Sequence, residues 1–194
     1  MARTFVILHG WLNHRPPGHW QFELARELEA LGEDVRYPQL PNADEPIKAE
    51  WLATLANVWE SIPEQNEKIV IAHSLATILW LHAVAELNLH ADRVLLVAPA
   101  GPTFLNDEPL LRNFLPLPEG IDGSSWRLVG SDEDPHCVEG PAEYFGGKYH
   151  CDIDLIPGAG HLALSDGYGK WPSVLAWALD PKVRLVSKDS YSKG

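Results

Sequence analysis

At 194 residues the chain is long enough for one hydrophobic core and too short for two ordinary domains. Its 15 Lys and Arg against 27 Asp and Glu give a formal net charge of −12, which repels nucleic-acid backbones and anionic membrane surfaces, so neither partner is expected. No apolar stretch approaches the roughly 18 residues of a membrane span, and Met1-Ala2-Arg3-Thr4 leads into a strand rather than a signal-peptide h-region; a cytoplasmic protein is expected.

The first apolar run, residues 4–8, predicts a strand that ends at His9-Gly10-Trp11-Leu12. Trp20, Leu24, Leu28 and Leu31 recur at three- and four-residue steps and predict a helix over 20–31, stopped by Gly32. Strands follow at 34–37, 68–72, 93–98, 126–130 and 152–156, and helices at 46–60, 76–88, 138–146 and 165–179, with Pro63 closing the second helix. Such alternation predicts an α/β fold, a mainly parallel sheet of about six strands covered by helices on both faces. Residues 1–181 form its single domain on this reading, and the Lys- and Ser-rich stretch 182–194, which lacks a period, is expected to be a mobile tail. Residues 101–120 carry four prolines yet also Phe104, Leu105, Leu110, Leu111, Phe114, Leu115 and Leu117. That is too apolar for an exposed loop, and the two readings are a small cap over a pocket or a core-filling connection.

Chemistry concentrates at the strand ends. Ala72-His73-Ser74-Leu75-Ala76 lies between a strand and a helix, where a sharp turn would expose the Ser74 hydroxyl and aim helix N-terminal amides at a reacting carbonyl. Small residues are needed two before and two after the Ser, because strand and helix backbones approach closely there; Ala72 and Ala76 stand where Gly is usual. A Ser hydroxyl is a poor nucleophile near neutral pH and needs a base, which in turn needs an acid to orient it. The order Ser, acid, His follows along the chain: Ser131-Asp132-Glu133-Asp134-Pro135 after the fifth strand offers three carboxylates, and Pro157-Gly158-Ala159-Gly160-His161 after the sixth offers the His. The backbone amides of Leu75 and of Trp11, in the turn after the first strand, are the expected oxyanion donors.

These segments, strand-HGW, strand-AHSLA, strand-GSDEDPHC and strand-PGAGH, resemble the small α/β-hydrolases related to retinoblastoma-binding protein nine over roughly residues 3–180. The resemblance implies a compact, Rossmann-like three-layer α/β-hydrolase fold and a Ser-His-Asp triad without metal or cofactor. It also implies that the acid lies in an Asp-Pro pair, which selects Asp134 with Asp132 as the substitute. The pocket-binding Leu-x-Cys-x-Glu peptide of the namesake is not present, since Pro135-His136-Cys137-Val138-Glu139 has Pro at the Leu position, so no retinoblastoma partner is carried over.

The resulting expectation is a serine esterase hydrolysing small or medium acyl esters, with Ser74 as nucleophile, His161 as general acid and base and Asp134 as its orienter. Its substrate pocket is expected to be formed by His9, Gly10, Leu12, Trp20, Phe104 and Leu162. The alternatives are an amidase or peptidase with the same machinery and a binding protein on a hydrolase fold that has lost turnover. Zinc on His136-Cys137 with His150-Cys151 is disfavoured, because adjacent side chains diverge on an extended chain. His9 and His73 are read as local packing and hydrogen-bonding residues rather than ligands.

Overall fold

The computed structural model describes residues 2–190, which form a six-stranded, entirely parallel sheet in the order β2-β1-β3-β4-β5-β6. The strands are β1 (Arg3–Leu8), β2 (Asp34–Arg36), β3 (Glu67–His73), β4 (Arg93–Val97), β5 (Arg127–Gly130) and β6 (Asp152–Leu155). They are linked by α1 (Trp20–Ala30), α2 (Lys48–Glu60), α3 (Leu75–Leu87), α4 (Pro102–Asp107) and α5 (Gly147–Tyr149), and α6 (Pro172–Leu179) follows the last strand. The fold is the expected compact α/β sandwich.

Period-two alternation divides the strand residues between two cores. Val6, Leu8, Val70, Val94, Leu96 and Leu128 point to the layer of α2 and α3, while Phe5, Ile7, Ile69, Ile71, Leu95, Val97 and Val129 point to that of α1 and α6. The strands therefore read as continuous apolar runs, the signature of a sheet buried on both faces. Helix α3 shows the same logic, with every residue from Leu75 to Ala83 buried.

The chain order steps outward from β1 to β2 and then crosses to β3 on the other side, so β1 and β3 lie side by side and their connections leave in opposite directions. A crevice opens beyond the carboxyl ends of the strands at such a switch point. The turns His9-Gly10-Trp11 and His73-Ser74-Leu75 both sit there.

Three segments differ from expectation. The helix expected over 165–179 is a single 3₁₀ turn at Leu164–Asp166 and then α6 from Pro172, because Gly167 takes φ +82° and Pro172 is suited to a first helical position. The helix expected over 138–146 begins only at Pro141, after Gly140 at φ +79°, as a π-turn that runs into α5. Beyond Lys182, Arg184 pairs with Asp152 and Asp154, Leu185 is buried, and the Val186 carbonyl accepts from Trp171 Nε1 at 2.7 Å, so this stretch is held against the fold; residues 191–194 of the expected tail lie outside the described residues. Within 101–120, Leu105, Leu111 and Phe114 are fully buried in the α2–α3 core, while Phe104 and Glu108 face the crevice.

Candidate active site

Strand β3 delivers Ser74 into a turn with φ +58° and ψ −127°, a left-handed conformation that L residues rarely adopt and that costs on the order of 1–3 kcal/mol. The Ser74 amide is anchored to the Val97 carbonyl of the neighbouring strand at 2.9 Å, and its hydroxyl side is directed at the loop after β6. Ala72 and Ala76 are fully buried, and the turn forms with methyl groups at both positions. The demand for a bare backbone falls instead on Gly10 of the facing turn: a Cβ there would lie 2.7 Å from Ser74 Cβ and 3.1 Å from its Oγ. Among the described residues neither the Trp11 nor the Leu75 amide finds a hydrogen-bond acceptor, whereas the next amide, Leu12, is tied to the Ala43 carbonyl at 2.9 Å.

His161 is carried by the loop after β6 and fixed from both sides. Gly158 and Gly160 take φ +65° and +59°, letting the loop fold back over the end of β5. Its amides are then used in succession: Gly158 donates to Asp132 Oδ1 at 2.8 Å, Ala159 to Ser131 Oγ at 2.9 Å, and His161 to Asp166 Oδ2 at 3.0 Å. The imidazole ends up with Nε2 2.8 Å from Ser74 Oγ and Nδ1 2.9 Å from both carboxylate oxygens of Asp134. These partners assign the proton to Nδ1, leaving Nε2 to accept from the Ser74 hydroxyl.

The three carboxylates of the β5 loop separate by function of place. Asp132 holds the Gly158 turn, and Asp134 is buried under His161 with Oδ1 also accepting the His136 amide at 2.8 Å. The chain thus brings Ser74, His161 and Asp134, 87 and 27 positions apart in their respective pairs, into one hydrogen-bonded line.

A cleft of about 450 Å³ opens over Ser74. Of the residues expected to form it, Gly10, Leu12 and Phe104 line it, and His9, Trp20 and Leu162 do not. His9 is fully buried, where Nδ1 donates to the Gly10 carbonyl at 2.9 Å and Nε2 accepts the Leu40 amide at 2.8 Å. Trp20 packs edge-on beneath His73 and donates Nε1 to the Leu162 carbonyl at 3.0 Å. Leu162 itself turns into the α1–α6 core, because its φ of +53° reverses the side chain away from the crevice. All three are support beneath the floor, and proximity in sequence to a strand end could not tell floor from wall.

His19, His73 and His136 also line the cleft. His73 donates Nε2 to the His161 carbonyl at 3.0 Å, and burial holds its imidazole well below the ordinary range and therefore neutral. His19 caps α1 by accepting the Gln21 amide at 3.2 Å, and burial pulls its pKa down to about 4, as it does for His9. His136 stacks on Phe104 with ring centroids 4.2 Å apart and meets His161 edge-on at 4.2 Å; burial lowers its pKa too. The signal for His136 was its place two residues after Asp134, and for His19 its place at the helix start.

Ligand atoms of Asp134, His136 and His161 lie within 4.8 Å of one another, the one such group found among the described residues. Asp134 and His161 are spent on each other, and His136 is stacked on Phe104, so this donor set is committed elsewhere. Cys137 and Cys151 are buried free thiols, each pushed up to about 12 by burial, and neither they nor His150 belong to the group of converging ligand atoms found among the described residues.

Comparison with known proteins agrees with this geometry at the level of fold. The ydeN gene product of B. subtilis superposes with a TM-score of 0.76 at 20% identity, covering 92% of this chain and 97% of that one. A putative ydeN-like hydrolase from Pectobacterium atrosepticum gives 0.73 at 20% identity over 90% and 88%, and Est1E from Butyrivibrio proteoclasticus gives 0.62 at 14% over 92% and 88%. No curated protein matches the sequence. The family model described as serine hydrolase matches residues 5–178, nearly the whole described chain, and the protein therefore belongs to the serine hydrolase family.

Proposed function

We propose that this serine hydrolase is a carboxylesterase of the branch related to retinoblastoma-binding protein nine, cleaving small or medium acyl esters through Ser74, His161 and Asp134. The observation that carries the reading is the continuous line Ser74 Oγ to His161 Nε2 at 2.8 Å and His161 Nδ1 to Asp134 at 2.9 Å, built on a strained turn. His161 takes the hydroxyl proton as Ser74 Oγ bonds to the ester carbonyl carbon, and the resulting oxyanion is met by the free amides of Trp11 and Leu75. Collapse breaks the bond to the alcohol, which leaves with the proton from His161. Water then repeats the sequence on the acyl-enzyme, releasing the acid and restoring Ser74. Buried Asp134 keeps the imidazole in the tautomer that accepts from Ser74 and balances its charge when it is protonated. The cleft volume of about 450 Å³ favours small or medium acyl groups. We place the protein in the cytoplasm on its two unpaired buried thiols; no helix among the described residues is long and apolar enough to cross a membrane.

Labelling with an uncharged fluorophosphonate, read by intact mass and peptide mapping, tests the machinery without assuming a substrate. One adduct on Ser74, absent in Ser74→Ala and slowed in His161→Ala and Asp134→Asn, is expected. No adduct on folded protein would point instead to a binding module on a hydrolase fold. Turnover of a 4-nitroanilide equal to that of the matching 4-nitrophenyl ester would point to an amidase.

A further inference from the structure

Glu108 stands at the end of α4 and lines the cleft over Ser74, half-buried, with a carboxylate that makes no ion pair or side-chain hydrogen bond among the described residues. The cationic side chain four residues on, Arg112, does not line the cleft and donates Nε to the Asn106 carbonyl at 2.6 Å. No Lys or Arg lines the cleft. Burial lowers the pKa of the cleft imidazoles of His19, His73 and His136, and Glu108 is the one carboxylate among the lining residues. The same cleft is lined by two aromatic rings, Trp11 and Phe104, whose centroids are 6.2 Å apart. A carboxylate without a side-chain partner, in the same cleft as two aromatic rings, suits a cation: aromatic faces attract positive charge and accept its methyl or methylene groups, while the carboxylate supplies the counter-charge.

We propose that the natural substrate is an ester bearing an ammonium group, with Glu108 as the specificity-determining residue and Trp11 and Phe104 as the surface against which the cationic group rests. The inference rests on the esterase reading above and goes beyond it by naming the substrate class. It accords with the net charge of −12, which draws cationic esters toward the protein and repels anionic ones.

The test compares isosteric pairs of esters on the full chain, with the charge placed first on the alcohol side and then on the acyl side. Choline acetate ester is set against 3,3-dimethylbutyl acetate, and the 4-nitrophenyl ester of 4-(trimethylammonio)butanoate against that of 5,5-dimethylhexanoate. In one of the two pairs the cationic member is expected to have kcat/KM roughly tenfold above its neutral isostere, a preference that shrinks in high salt. In Glu108→Gln that ratio should collapse toward one, and Glu108→Asp should retain part of it. A structural role for Glu108 would lower both members of a pair equally and leave the ratio intact, and that result overturns the proposal. So does a wild-type ratio near or below one in both pairs. If neutral esters are turned over and Ser74 is labelled while no cation preference exists, only this inference fails; if no ester is turned over and Ser74 is not labelled, the esterase reading fails with it.

Discussion

At Ser74 the backbone is held at φ +58° so that a hydroxyl, rather than a backbone carbonyl, faces His161. The expected kinetic consequence is a loss of ester turnover of about 10³–10⁴-fold or more in Ser74→Ala and His161→Ala, and of similar order in Asp134→Asn, which would release the imidazole to the wrong tautomer. Steady-state kinetics on one neutral ester measures all three. Gly10→Ala is a different kind of change: the added methyl would sit 2.7 Å from Ser74 Cβ, so the two turns must separate. Its kcat/KM is expected to fall by at least about tenfold, more than any accompanying loss of stability would explain, because a small displacement of the reacting groups is expensive. Parallel kinetics and thermal unfolding separate the two effects.

The buried histidines give the protein an acid limit whose sign follows from linkage. His9 and His19 titrate near 4 in the folded chain and near 6.5 once unfolded, so between these values the unfolded chain binds more protons and stability falls as pH falls. Each contributes about 3 kcal/mol over that window, fully present above pH 6.5 and lost by about pH 4. Asn at position 19 can still cap α1, so His19→Asn is expected to flatten the dependence of Tm on pH between 6.5 and 4 while keeping the helix start. An unchanged slope would show that another group sets the limit.

Among the elements, residues 101–120 join the core to the cleft. Their apolar content is spent twice: Leu105, Leu111 and Phe114 are buried against α2 and α3, and Phe104 is left to stack on His136. Phe114 also meets Trp51 edge-on at 5.5 Å, and its carbonyl accepts from His82 Nε2 at 2.8 Å. Phe114→Ala is expected to cost about 3–5 kcal/mol, read as a drop in the denaturant midpoint. An element anchored by three buried side chains should also protect its amides: hydrogen exchange within α4 as fast as in a free loop would favour a mobile cap. That helix and its following turn were not legible as elements, because proline spacing and mixed polarity hide a six-residue helix from any periodic pattern. The late start of α6 was missed for a related reason. Tyr168, Trp171, Leu175 and Ala178 keep helical spacing, but Gly160, Leu162 and Gly167 all take positive φ to wrap the loop around Asp166.

The whole molecule is closed by its C-terminal segment. Arg184 and Arg127 share Asp154, Arg184 and Arg127 also meet Asp152, and the Leu185 amide donates to Asp154 Oδ2 at 2.9 Å. Leu185 fills the α1–α6 core, and the Val186 carbonyl satisfies Trp171 Nε1 and Ser173 Oγ. Truncation after residue 181 is expected to destabilise the protein by about 3–5 kcal/mol, the sum of one buried Leu and the polar groups left unpaired. Equilibrium unfolding of the shortened chain would reveal it; an unchanged midpoint would mean the segment is dispensable. Composition alone suggested a tail there, since its Lys and Ser content matches solvated chain and its ion-pair partners are some 30 positions away.

By itself the sequence determined the alternation of strand and helix, the parallel sheet, the strand-end location of the chemistry and the candidates Ser74, Asp134 and His161. These properties are local: apolar periodicity, small residues at a sharp turn and glycine-rich loops each act within a few positions. Tertiary structure alone decided which side chains face the cleft. Whether His9, Trp20 and Leu162 are wall or floor, whether Asp132 or Asp134 meets the imidazole, and whether Glu108 finds a partner all depend on backbone direction at single residues and on neighbours from other strands. Contacts between residues tens of positions apart leave no periodic trace in the chain, and there the packing of the switch point supplied what spacing lacked.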